Sequence, residues 1–149
     1  MKRYLRLLSL LAVLLSASHA SGQGALVAGD LDTFIALVKV DCPIEYTDAW
    51  AVNSIDTNGD TVQVVLQTPA SLAGFLPMLT GDDERVRKLW FKQLKSFGRP
   101  WDDLFDRVAD VGRTLLITFA PKDSRVRAEI LYSPEDITVA AGAGQPIAE

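Results

Sequence analysis

Two groups of carboxylates come closest to chemistry in this sequence. Asp102, Asp103, Asp106 and Asp110 fall within one short helical stretch, and Asp82, Asp83 and Glu84 open another. Glycoside hydrolysis needs only two carboxyl groups held ~5–9 Å apart, one donating a proton and the other serving as base or nucleophile. A histidine-free hydrolase is therefore one reading of these residues. The other is structural. The helix dipole favours acidic residues in a first turn, and Asp102 and Asp106, four apart, share one solvent-facing side.

Cys42 is the only thiol in the chain. Reactive thiolates sit beside a cation, a base or a helix N-terminus that lowers their pKa. Cys42 instead has Asp41 and Glu45 nearby and follows a helix, which fits a small core residue, with an intermolecular disulfide as the alternative. One cysteine excludes an internal disulfide and every multi-thiolate metal site. Asp56-Thr57-Asn58-Gly59-Asp60 has oxygen ligands of the calcium-loop kind, but its spacing is wrong. The glycine comes fourth where an EF-hand needs it sixth, and the twelfth position is Gln67 instead of an acid. A hairpin turn accounts for the segment, and no metal or cofactor is expected.

For binding, the candidates are a basic stripe and two tryptophans. Arg85, Lys88, Lys92 and Lys95 recur on one side of a helix in an otherwise acidic protein, where they could meet lipid head groups, a polyanionic glycan or an acidic protein. The same pattern describes the wet face of any amphipathic helix. Trp90 lies on the apolar stripe, which leaves Trp50 and Trp101 as surface platforms for a sugar ring. The candidate binding residues are therefore Trp50, Trp101, Arg85, Lys88 and Lys92.

Residues 1–20 read as an export signal. Met1-Lys2-Arg3 and Arg6 make a basic start, Leu7 to Ala17 an apolar run, and Ser18-His19-Ala20 a small-residue cleavage site. The run is shorter than the roughly 20 apolar residues that span a bilayer. Cleavage at Ala20 would start the mature chain at Ser21, and cleavage after Gly22 at Gln23. Either way it discards His19, the only histidine. The mature chain then has no catalytic triad and no imidazole metal site. It also loses three basic residues, so 12 basic groups face 19 acidic ones. So acidic a surface repels phosphate backbones and excludes nucleic acid as a partner. The expected location is exported, periplasmic or secreted, with no membrane span after cleavage.

The elements that must position these residues follow from local patterns. Ser21–Gly29 reads as a flexible lead, and Asp30 as the cap of a helix through about Val40, with Leu31, Phe34, Ile35 and Val38 inward. Asn58-Gly59 is a two-residue hairpin turn that would pair Ile55 with Val62, Asn53 with Val64 and Ala51 with Leu66. Thr80 and Asp83 resemble a capping pair for a helix over 81–97. Its inward stripe would be Val86, Leu89, Trp90, Gln93, Leu94 and Phe97, and Gly98 would end it. A short helix follows over Trp101–Val111. RTLLITFA and RVRAEILY then form a second hairpin across Pro121–Ser124. One domain over 30–138 with a flexible tail over 139–149 results. The expected fold is α+β, an antiparallel sheet built from two hairpins with helices packed on one face.

The stretch VKVDCPIEYTDAWAVNSIDTNGDTVQVVL, followed after the helices by GRTLLITFAPKDS, resembles small uncharacterised exported proteins of Gram-negative bacteria. The resemblance covers residues 30–138 and implies export and a compact α+β fold. It carries no catalytic residues with it. The leading expectation is an exported, non-enzymatic binding or interaction domain of the cell envelope, with an envelope protein or glycan as partner. A histidine-free hydrolase using paired carboxylates, and a small inhibitor or immunity-like partner protein, are the alternatives.

Overall fold

Along Thr61–Thr68 the side chains alternate strictly, with Val62, Val64, Leu66 and Thr68 buried and Thr61, Gln63, Val65 and Gln67 half-exposed. This is the two-residue period of a strand with one face on a core. A computed structural model of the chain, describing residues 23–142, places this strand at the centre of a five-stranded sheet. In chain order the elements are α1 (Gln23–Asp41), β1 (Ile44–Glu45), β2 (Ala51–Asn58) and β3 (Thr61–Thr68). A 3-10 turn (Ala70–Leu72), α2 (Leu76–Leu79), α3 (Glu84–Ser96) and α4 (Trp101–Asp110) follow, then β4 (Thr114–Pro121), β5 (Ala128–Tyr132) and α5 (Pro134–Gly142). The proposed signal at 1–20 and the end of the proposed tail lie outside the described residues.

The sheet is not two hairpins joined antiparallel. Its order is β1-β2-β3-β4-β5, and β3 and β4 run parallel, with Val62 opposite Leu115, Val64 opposite Ile117 and Leu66 opposite Phe119. Parallel neighbours need a long crossover. The helical stretch between β3 and β4 supplies it, bringing the chain back to the end of the sheet where β3 began. The other pairings are antiparallel, including the added edge strand β1 on β2. Helices and strands share one core. Ile35 and Val38 of α1, Leu94 of α3, Phe105 and Val108 of α4 and Ile137 of α5 join Ile55, Val64, Ile117 and Ile130 of the sheet. The opposite sheet face, with Gln63, Val65, Leu116 and Thr118, stays half-exposed.

Several local details differ from expectation. In the hairpin, Asn58 is still a strand residue opposite Thr61, and Gly59, at φ 60°, is the first turn residue. Ile55 therefore pairs with Val64 instead of Val62, and a bulge between Val52 and Ser54 brings Val52 opposite Leu66. Strict alternation would send Val52 and Ile55, three apart, to opposite faces; the bulge lets both reach the core. Helix α1 begins at Gln23, so most of the expected flexible lead is helical and Asp30 lies inside it. The Asp30 carboxylate is satisfied by an ion pair with Arg107 instead of capping. Val139–Gly142 is helical with Ala140 buried, so the domain runs past the expected boundary at 138.

Helix α3 also starts later and turns differently. Asp83 is its N-cap, accepting the Arg85 backbone N–H at 2.8 Å. Thr80 donates its hydroxyl to the Leu76 carbonyl, closing α2 instead of opening α3. The buried residues are Trp90, Phe91 and Leu94, while Leu89 and Gln93 are exposed. Two aromatic contacts fix this rotation: Phe91 on Phe105 and Trp90 on Phe119, each with centroids 4.6 Å apart. Such pairs add about 0.5–1.5 kcal/mol beyond the area they bury. Gly98 ends the helix at φ 80°, as the sequence suggests.

Candidate functional site

The two tryptophans read as platforms have different surroundings. Trp101 is fully buried at the start of α4, with its ring 6.0 Å from that of Phe105. No ligand can stack on it from solvent, and this expectation is corrected. The proline at position 100 sets the helix start so that Trp101, Leu104, Phe105 and Val108 form the inward stripe. Trp50 is half-buried, its ring 5.4 Å from Phe97 and 6.3 Å from Trp90. Val52, its neighbour on the sheet, is also fully buried, so the sheet presents no apolar patch there.

The basic side of α3 sorts into engaged and free cations. Arg87 is mostly enclosed. It donates to the Leu131 carbonyl at 2.9 Å and pairs with Asp82 at 3.2 Å and Asp136 at 3.7 Å, locking α3 to β5 and α5. Lys88 pairs with Glu84 one turn back. Lys95 leans to the other flank, 3.7 Å from Asp106 and 5.0 Å over the Phe91 ring. Arg85 and Lys92 are exposed and make no ion pair among the described residues.

One exposed apolar side chain lies between these two cations along α3, and two more lie on the neighbouring α2. Leu89 is 58% exposed between Arg85 and Lys92 on the outer side of α3. On α2 and the residue before it, Met78 is 78% and Phe75 58% exposed. The two are three residues apart and share a side, opposite the buried Leu76. The Trp90 indole N–H donates to the Leu79 carbonyl at 2.6 Å, holding α2 against α3 on the flank toward which Leu89 turns. The sequence gives no site role to Phe75 or Met78 and puts Leu89 on the inward stripe of its helix, where the structure turns it outward. One signal was available: SLAGFLPML is apolar all round, and a one-turn helix packed on a core can bury only one side.

A second, smaller feature is a cleft of about 260 Å³ lined by Val38, Asp41, Ile44, Arg99 and Pro100. That is just under the usual range for small-molecule sites. Behind it Tyr46 stacks on Phe97 at 4.7 Å and donates its hydroxyl to the Arg99 carbonyl at 2.6 Å. Burial pushes the Tyr46 phenol above its ordinary pKa. Cys42, close by, packs half-buried against the core, and its pKa is raised by burial first and by Asp41 second. A thiol of this kind is a poor nucleophile at neutral pH.

The carboxylates considered for hydrolysis are engaged in local structure except Asp110, which is exposed at the end of α4. Asp102 accepts the Asp103 backbone N–H at 3.1 Å, and Asp103 lies 4.0 Å from Arg107. Asp106 and Asp82 hold Lys95 and Arg87, and Asp83 caps α3. They lie on exposed helix surfaces, and none of them lines the cleft. Asp56, from the loop compared with a calcium site, bonds Lys39 at 3.1 Å.

No protein-family model matches the chain, and no curated protein sequence does. Among solved structures, the chain is similar to a predicted secreted protein of Pseudomonas aeruginosa, with a TM-score of 0.52 and 16% identity, over 79% of this chain and 98% of that one. The type II secretion pilotin EpsS of Vibrio vulnificus is similar at a TM-score of 0.49 and 11% identity, over 85% of this chain and 99% of that one. The pilotin AspS of Vibrio cholerae follows at 0.44 and 15%, over 77% and 99%. The likeness to the Pseudomonas protein is one of fold. The resemblance to small exported proteins of Gram-negative bacteria, first read from residues 30–138, extends to the architecture.

Proposed function

We propose that the chain is an exported, non-enzymatic interaction domain of the cell envelope, and that it docks its partner on the surface formed by α2 and the outer side of α3. The observation that carries this reading is the exposure of Leu89 between the free cations Arg85 and Lys92, with Phe75 and Met78 exposed on α2, which Trp90 ties to α3. Large apolar side chains clustered on a surface cost solubility, and proteins keep them where a partner covers them. The basic residues expected to bind, Arg85, Lys88 and Lys92, belong to the same surface, with Lys88 held back by Glu84.

A photo-crosslinking residue placed at Met78 and, separately, at Thr57 beside the hairpin turn tests the reading in envelope extracts. Discrete adducts, to protein or to lipid, from position 78 that are absent from position 57 are expected. Equal labelling from both positions, or none from either, would remove the docking surface.

A further inference from the structure

We infer that the occupant of this surface is an anionic lipid headgroup layer, with Phe75, Met78 and Leu89 entering the headgroup boundary and Arg85 and Lys92 meeting lipid phosphates. This rests on the docking surface proposed above and names its partner. The first argument is charge. The acids nearest the patch are already engaged: Asp82 with Arg87, Glu84 with Lys88, and Asp83 with the α3 N-terminus. What remains unpaired on the outer side of α3, among the described residues, is cationic. The mature chain as a whole, with 12 basic and 19 acidic groups, would be repelled by an anionic layer unless a basic face leads. The unpaired Arg85 and Lys92 therefore complement an anionic surface.

The second argument is the form of the apolar part. Phe75 and Met78 are carried on a single helical turn whose other side is fixed: Leu76 is fully buried, its carbonyl accepts the Thr80 hydroxyl at 2.7 Å, and Leu79 accepts from Trp90 at 2.6 Å. The outward side chains are thus presented on a rigid base and lose little further freedom on insertion. Apolar residues at the boundary with basic residues beside them are the composition of an interfacial element that lies on a bilayer. Among the described residues no helix is long and apolar enough to cross one.

The test is co-sedimentation of the protein, as recovered after export, with vesicles of phosphatidylcholine alone or mixed with phosphatidylglycerol. Binding is expected only to the mixed vesicles and should be released by high salt. Arg85→Gln with Lys92→Gln should lower partitioning about tenfold or more, and Met78→Asp should abolish it. Arg125→Gln, exposed ahead of β5, should leave it unchanged. Absence of binding, equal binding to both vesicle types, or an equal loss from Arg125→Gln would overturn the inference. Protein adducts at position 78 with no vesicle binding would overturn the lipid partner and leave the docking surface standing. Failure of both experiments removes both.

Discussion

Two phenols connect side-chain chemistry to the stability of the fold. Tyr132 lies fully buried against Phe105, edge to face at 5.2 Å, and donates to the Arg87 carbonyl at 2.7 Å. Burial pushes its pKa above the ordinary 10.0, as it does for Tyr46. The folded chain then holds protons that the unfolded chain has released, so stability from this source is complete below about pH 10 and falls as pH rises beyond it. Tyr132→Phe should cost about 1 kcal/mol at neutral pH, the worth of one hydrogen bond, and should flatten the alkaline decline measured by denaturant unfolding. An unaltered decline would show that Tyr132 does not contribute to it. At this scale the sequence was legible where a residue had one role. The inward alternation of Tyr132 and the poor surroundings of Cys42 could be read directly. Trp101 could not, because the same side chain serves as a platform or as core, and only the direction of α4 decides which.

Among the elements, α3 shows how tertiary contacts choose between two readings of one helix. Leu89 and Phe91 are both apolar and both adjacent to Trp90, and a 3.6-residue period with a broad stripe accommodates either. The tilted contact of Phe91 with Phe105 settles it, turning Leu89 outward. Phe91→Ala should cost about 3–5 kcal/mol, whereas Leu89→Ala should stay within about 0.5 kcal/mol, both from chemical denaturation of the same protein. Comparable losses at the two positions would mean that the helix is rotated from this arrangement. The consequence reaches the proposed docking surface, since the rotation is what leaves an apolar side chain between Arg85 and Lys92. The helix itself, its Gly98 stop and the basic side were legible from spacing. The proposed docking surface was not, because it depends on this rotation and on how α2 is seated.

For the whole molecule, the helix–hairpin–helices–hairpin order pointed to α+β, and both hairpins are present. The join between them was not legible, since local patterns specify a strand's faces but not the direction of a neighbour brought from far along the chain. That join governs how the chain acquires its structure. The β2–β3 hairpin closes over a turn at Gly59, whereas seating β4 beside β3 brings Thr61 against Thr114 only after the whole helical crossover has folded back. Distant pairings of this kind slow folding, because loop entropy is lost before contacts compensate for it. Pulsed hydrogen exchange during refolding should therefore protect amides of the β2–β3 hairpin ahead of those in β4, and simultaneous protection would contradict this order. Until β4 arrives, β3 presents an open, apolar strand edge of the kind that captures other chains. A chain folding from an extended form would pass through that interval, so its most aggregation-prone moment comes before its centre has closed.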